Sequence, residues 1–314
     1  MRTGLVVKAH SGFFTVLVEG GDRVTCQAAG KLTRGRHTED LLAVGDQAEF
    51  SEIEGDGFVR GRIERVLPRK SALSRRDPVA NTSRKDVREI RQVIVANVDL
   101  VVFVFACAEP DFHARMLDRF IVGAEAQKLP TLICATKTDL VGLPQAKELF
   151  GDYERLGYRV IYTCARTGEG IEELRQALTG RLSVLTGKSG TGKSSLLNVL
   201  QPGLAAAVGE VSKLIHKGRH TTVVPELIPM DASSWIADTP GLRAYDVWDI
   251  QAEELDAYFI EMAPLVSKCG FSNCAHLTEP GCAIRAAVVA GTVSATRYDS
   301  YVRLREALEG RRKW

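Results

Sequence analysis

The sequence predicts an α/β domain with a mainly parallel sheet, set between an N-terminal β-barrel and a C-terminal cysteine-rich helical segment. Three observations predict it. Residues 1–66 alternate short β-type runs with glycine-rich turns, from about residue 92 apolar strands alternate with helical stretches, and three of the seven cysteines crowd into residues 269–282.

The N-terminal runs are TGLVVKA, GFFTVLVEGG, DRVTCQAAG, GDQAEFSEI and FVRGRIERVL. Five short strands without a convincing helix predict a small open barrel of the OB type, a fold that binds single-stranded nucleic acid on one face. The alternative is a barrel that serves only as a spacer or docking module. Residues 60–91 hold eleven Arg or Lys against four Asp or Glu. That imbalance suits either a solvated linker or phosphate contacts. Beyond it, VDLVVFVFA reads as a buried strand, DFHARMLDRFIVGAEAQ as a helix and PTLICAT as a strand. QAKELFGDYERLG, YRVIYTCA, IEELRQAL, RLSVLTG and KSSLLNVL continue the alternation, and SSWIA is a further strand. After Gly241, AEELDAYFIEMAPLV is helical, and a last helix leads to the basic end RLREALEGRRKW. The expected domains are 1–70 (OB-fold, RNA-binding), 71–91 (basic linker), 92–248 (the α/β domain) and 249–314 (helical, zinc-binding).

Composition narrows the class. Apolar content of 45% and charged content of 25% fit an ordinary globular protein. The apolar run Leu100 to Ala108 falls far short of the ~20 residues that span a bilayer, so no membrane partner is expected. Scattered Cys26, Cys107, Cys134 and Cys164 beside one dense cluster fit a reducing cytoplasmic compartment with a metal site better than a disulfide framework.

Residues 187–194, GKSGTGKS, match G-x-x-x-x-G-K-[ST] between a predicted strand and helix. Gly187, Gly190 and Gly192 let backbone N–H groups turn toward phosphate oxygens, with Lys188, Ser189, Thr191 and Ser195 completing the loop. Lys193 neutralises the β- and γ-phosphates and Ser194 ligates Mg²⁺. TKTD, residues 136–139, resembles the N-K-x-D element of GTPases. By that resemblance Asp139 accepts two hydrogen bonds from guanine and the stem of Lys137 covers the ring, with Thr136 in place of Asn. CARTGEG, residues 164–170, resembles the S-A-K element, with Cys164 in place of Ser and the Ala165 main chain as the contact to the guanine oxygen. In DTPG, residues 238–241, Asp238 can hold Mg²⁺ through water and the Gly241 N–H can meet the γ-phosphate. KGRHTT, residues 217–222, offers Thr221 or Thr222 as a further Mg²⁺ ligand. Leu242 follows DTPG where many GTPases carry a water-orienting Gln, which leaves His220 as the local candidate for that role and predicts slow turnover without a partner. Cys269, Cys274, His276 and Cys282 satisfy a closed, structural, tetrahedral zinc site.

The order of these elements is unusual: base reader, second base loop, phosphate loop, KGRHTT, DTPG. Cutting a domain at a different point keeps the same site when its termini are close. It also makes the chain leave the nucleotide domain directly after DTPG, which predicts a lever acting on residues 249–314. The whole chain resembles the circularly permuted, small-ribosomal-subunit-dependent GTPases of bacteria. That resemblance implies a circularly permuted P-loop GTPase with an OB-type barrel and a zinc-binding helical domain. It implies binding to the small subunit and its rRNA, GTP hydrolysis on the particle in late maturation, His220 as catalytic residue beside Lys193, and a monomer. Two alternatives stand beside it: a nucleotide-gated RNA-binding switch whose hydrolysis is incidental, and an ATP-dependent enzyme, against which Asp139 argues.

Overall fold

Strand β1, Arg2–His10, opens a meander with β2, Phe13–Val18, and β3, Arg23–Ala28. A short helix α1, Gly30–Thr33, follows where only strands were expected, and then β4, Gln47–Ile53, and β5, Arg60–Val66. The strands run β1-β2-β3-β5-β4, and β4 pairs back to β1, closing a five-stranded barrel in which only β3 and β5 are parallel. Val6, Val16, Phe50 and Ile63 fill it. The computed structural model describes residues 1–33, 42–53, 60–76, 91–203, 226–238 and 250–311.

The basic stretch is less free than its composition suggests. Arg65 pairs with Glu49, and Arg69 grips the buried Asp46 through two nitrogens, at 2.7 and 2.8 Å. Its described ends are strands β6, Ala72–Arg76, and β7, Arg91–Ala96, which form a two-stranded sheet. QVIVA carries that second strand, unnoticed in the sequence because charged residues precede it.

The α/β domain comprises β8, Leu100–Ala106; α2, Ala114–Ala126; β9, Thr131–Thr136; α3, Leu143–Arg155; β10, Val160–Tyr162; α4, Ile171–Leu178; β11, Leu182–Thr186; α5, Lys193–Leu200; and β12, Glu226–Pro229, with β13, Trp235–Asp238. The sheet order is β10-β9-β8-β11-β13-β12, parallel except for the last pair. Strand β8 is buried along its whole length, as its unbroken apolar run requires in the middle of a sheet covered on both faces. Strand β11, which feeds the phosphate loop, lies between β8 and β13, so the loops after β8, β9, β10 and β11 emerge at one edge.

The C-terminal unit departs from the single helix expected at 252–266. The segment is a 3₁₀ stretch, Ala252–Tyr258, and a short helix, Ala263–Val266, because Pro264 is tolerated only in a first helical turn. Helices Ala283–Val289 and Ala295–Arg311 complete the unit. It is bolted to α2. The Arg297 guanidinium, 1% exposed, donates to Asp118 of α2 at 2.7 Å and to Glu261 at 2.7 and 3.0 Å, and lies 4.7 Å from the centre of the Phe259 ring. Tyr153 of α3 donates to the same Asp118. Burial raises the Asp118 carboxyl above its ordinary range, against the pull of Arg297. Val122 of α2 joins the core of the unit with Phe259, Met262 and Tyr301.

Candidate functional site

The phosphate loop begins beside Val104 of β8, where β11 ends its parallel pairing with that strand. A side chain on Gly187 would sit 2.1 Å from the Val104 carbonyl oxygen, so only glycine lets the backbone pass there. Gly192, at φ 85°, turns the chain into α5. Lys193 folds its ammonium back over the loop, 2.6 Å from the Gly187 carbonyl and 2.7 Å from that of Lys188, while Thr191 donates its hydroxyl to Lys188 at 2.9 Å. Ser194 and Ser195 are exposed in the first turn of α5, and Lys188, Ser189 and Gly190 are exposed in the loop. Unpaired N–H groups at a helix start favour an anion there.

Thr136 ends β9 and is buried, with its hydroxyl 2.6 Å from the Thr191 carbonyl. Lys137 turns left-handed at φ 57° and donates to the Glu109 carbonyl. Asp139 stands in the following 3₁₀ turn, Thr138–Leu140. Its two oxygens are engaged separately: Oδ1 accepts from the Cys164 thiol at 3.1 Å and Oδ2 from Arg166 Nε at 3.0 Å. Those two donors, Cys164 first, hold the Asp139 carboxyl below its usual range. Cys164 is fixed in turn by Glu169 and Gly168, whose backbones close the loop after β10 around it. The result is a pocket of roughly 430 Å³ lined by Thr136, Lys137, Asp139, Cys164, Ala165 and Gly192, among others. That volume is within the ordinary range for small-ligand sites.

Asp238 closes β13 with its backbone opposite Glu226. His220, Thr221, Thr222, Gly241 and Leu242 lie outside the described residues.

Some 250 residues into the chain a second constellation forms. Donor atoms of Cys269, Cys274, His276 and Cys282 all lie within 4.8 Å of one another, a spacing at which they could hold one metal ion. His276, at φ 61°, turns Nδ1 toward the Cys269 and Cys282 sulfurs, at 3.6 and 3.5 Å, and hydrogen-bonds Asp256 through Nε2 at 3.0 Å. A carboxylate at one imidazole nitrogen leaves the other free as a ligand. Glu279 accepts from the backbone N–H groups of Ala275, Leu277 and Thr278, and its own backbone N–H first, then these three, bring its carboxyl down to about 2. Three thiols and an imidazole form a donor set that fits a tetrahedral ion.

A model of the RsgA GTPase family matches residues 66–248. The chain belongs to that family. A protein of Gemmatimonas aurantiaca named "Small ribosomal subunit biogenesis GTPase RsgA" is 44% identical over 309 residues, covering 98% of each chain. One of the same name from Thermotoga maritima is 38% identical over 316 residues, covering 99% of this chain and 98% of its own. The crystal structure of YjeQ from Thermotoga maritima superposes with a TM-score of 0.78 at 35% identity, over 98% of this chain and 99% of that one. YloQ, described as a circularly permuted GTPase, gives 0.72 at 28% identity, over 99% and 96%. With these relatives and the sheet order above, the fold is a circularly permuted P-loop GTPase carrying a five-stranded barrel and a helical C-terminal unit.

Three residues at the two sites escaped the sequence reading. Arg166 lay inside the quoted CARTGEG stretch, but nothing in the stretch indicates that its side chain reaches Asp139. Asp256 reaches His276 from 20 residues away, a contact with no local signature, and Glu279 holds the turn between the ligands through local backbone bonds that the cysteine spacing does not announce.

Proposed function

We propose that the chain is a GTPase that binds the small ribosomal subunit and assists its late maturation, hydrolysing GTP to GDP and phosphate on the particle. One observation supports the site reading: Thr136 joins the loop of Asp139 to the phosphate loop, and Asp139 lines one pocket with Gly192 and Ser195 from the end of that loop. The names of the full-length relatives support the partner.

In this reading Asp139 accepts the two N–H groups of the guanine edge, the stem of Lys137 covers the ring, and the Ala165 N–H meets the guanine oxygen. The phosphates lie along Gly187 to Ser195. Lys193 exchanges its contacts with the Gly187 and Lys188 carbonyls for phosphate oxygens. Ser194, Asp238 and Thr221 or Thr222 would hold Mg²⁺, which would neutralise charge on the β- and γ-phosphates. The Gly241 N–H meets the γ-phosphate. His220 orients the water that attacks the γ-phosphorus as the bond to the β-phosphate oxygen breaks. Cys269, Cys274, His276 and Cys282 hold a structural Zn²⁺, with Asp256 orienting the imidazole. The domains are 1–70, 71–91, 92–248 and 249–314, with the barrel and the zinc unit contacting rRNA. The protein is a cytoplasmic monomer; among the described residues no helix is long and apolar enough to cross a membrane.

GTP turnover tests the proposal, measured alone, with small subunits, with large subunits and with free rRNA. Stimulation by small subunits alone is expected. Tight GTP-dependent subunit binding without stimulation would favour the switch in which hydrolysis is incidental, the reading that Leu242 supports. No binding and no stimulation would overturn both.

A further inference from the structure

Strand β1 belongs to two cores. Val6 is fully buried inside the barrel, whereas the adjacent Val7 is buried with Leu227, Val95 and Leu73 in the core of the α/β domain. The pairing of β1 with β2 shifts between Val6 and Lys8, an irregularity of the kind that re-aims a strand. Lys8 then pairs in register with Glu226 of β12, and its ammonium lies 2.7 Å from the Glu226 carboxylate. The barrel and the nucleotide-binding sheet are therefore one continuous sheet, joined at this residue pair.

The place of the junction matters. Glu226 lies opposite Asp238 across the β12–β13 hairpin. At that end the chain arrives from 217–222 and departs toward 239–241. Strand β13 runs beside β11, whose next residue is the first of the phosphate loop. The ion pair contributes only modestly to stability, because the Lys8 side chain is 44% exposed even though Glu226 is 19% exposed. Its position at the root of both segments gives it another use.

We propose that the Lys8–Glu226 pair couples the barrel to the nucleotide state, setting how strongly the barrel side of the protein engages RNA when the γ-phosphate is present. This rests on the function proposed above, with 217–222 and 238–241 as the nucleotide-sensing segments. A γ-phosphate that holds those segments holds the end of the hairpin, and the hairpin end holds Lys8. The barrel follows because β1 is packed on both faces and shifts as a unit.

The test uses the full chain and small ribosomal subunits, comparing subunit affinity with a non-hydrolysable GTP analogue and with GDP. Lys8→Gln and Glu226→Gln should each lower the analogue-to-GDP affinity ratio roughly two- to fivefold, the range open to a partly exposed ion pair. Affinity for the nucleotides themselves should stay unchanged. The swapped pair, Lys8→Glu with Glu226→Lys, should restore the ratio. Single variants that keep the wild-type ratio would overturn the coupling and leave the GTPase reading intact. A loss with Lys8→Gln that is equal for both nucleotides, without one for Glu226→Gln, would overturn it in favour of a plain RNA contact. A wild-type ratio of one, with no stimulated turnover, would remove the functional reading and the coupling together.

Discussion

The Thr136 hydroxyl lies 2.6 Å from the Thr191 carbonyl, and that one bond joins the end of β9 to the phosphate loop. The two residues are 55 positions apart, and both are buried. The Phe105 carbonyl, 3.3 Å from the same oxygen, is the weaker partner, so the single proton goes to Thr191. A residue that departs from the usual Asn thus still performs a bridging task, through a hydroxyl.

Thr136→Val keeps the shape and removes the donor, leaving the Thr191 carbonyl without it. Affinity for GDP should fall about tenfold, equivalent to ~1.4 kcal/mol, while Thr136→Ser stays near wild type. Calorimetric titration of the three proteins decides it. Equal affinities would mean that the loop holds its shape without the bridge.

Asp139→Asn should weaken guanine nucleotide binding roughly a hundredfold, because hydrogen bonds to an ionised group are the strong ones. Xanthine nucleotide should gain, since its 2-oxo group accepts from the new amide. Arg166 adds a measurable competitor: its guanidinium occupies the Oδ2 that guanine would need in the proposed site. Being exposed, that contact is weak, and Arg166→Ala should raise GDP affinity no more than about fivefold. Competition binding with GDP and xanthosine diphosphate reads both effects; an unchanged base preference in Asp139→Asn would remove Asp139 from base recognition.

How much was legible depends on whether the signal was local. The phosphate loop and the buried run of β8 are written in consecutive residues, and the structure shows strand, loop and helix there. The cysteine cluster could be seen by density alone, and its donors converge. Strand β12 was invisible because ELIP is too short to show a period. The expected lever at residues 249–314 took account only of the chain connection after DTPG. Arg297 bonds the unit to Asp118, 179 residues away, and no local pattern announces such a contact.

That buried pair makes its own prediction. Arg297→Met leaves the Asp118 and Glu261 carboxylates buried without their cation, and breaking such a set costs about 3–5 kcal/mol. Thermal unfolding should show a lower midpoint for the C-terminal unit. Adding Asp118→Asn and Glu261→Gln to Arg297→Met should recover most of the loss, because no unpaired charge remains. A single variant as stable as wild type would mean that water reaches the site.

Glu279 sets a pH limit on the cysteine cluster. Its carboxylate holds the backbone of Ala275, Leu277 and Thr278, the turn on which His276 is carried. The folded carboxyl titrates at about 2, below its ordinary 4.5, so its contribution is complete above the unfolded value and is lost as pH falls through 4.5 toward 2. At neutral pH Glu279→Gln removes the charge but retains one acceptor oxygen, and metal release to a chelator should quicken several-fold while GDP affinity is unchanged. Because a metal ion also competes with protons for its thiolates, release from wild type itself accelerates on acidification. The informative comparison is therefore the ratio of variant to wild-type release rates, which should shrink between pH 5 and pH 3 as the wild-type carboxylate is protonated. A ratio that stays constant over that range would show that the Glu279 charge does not hold the turn.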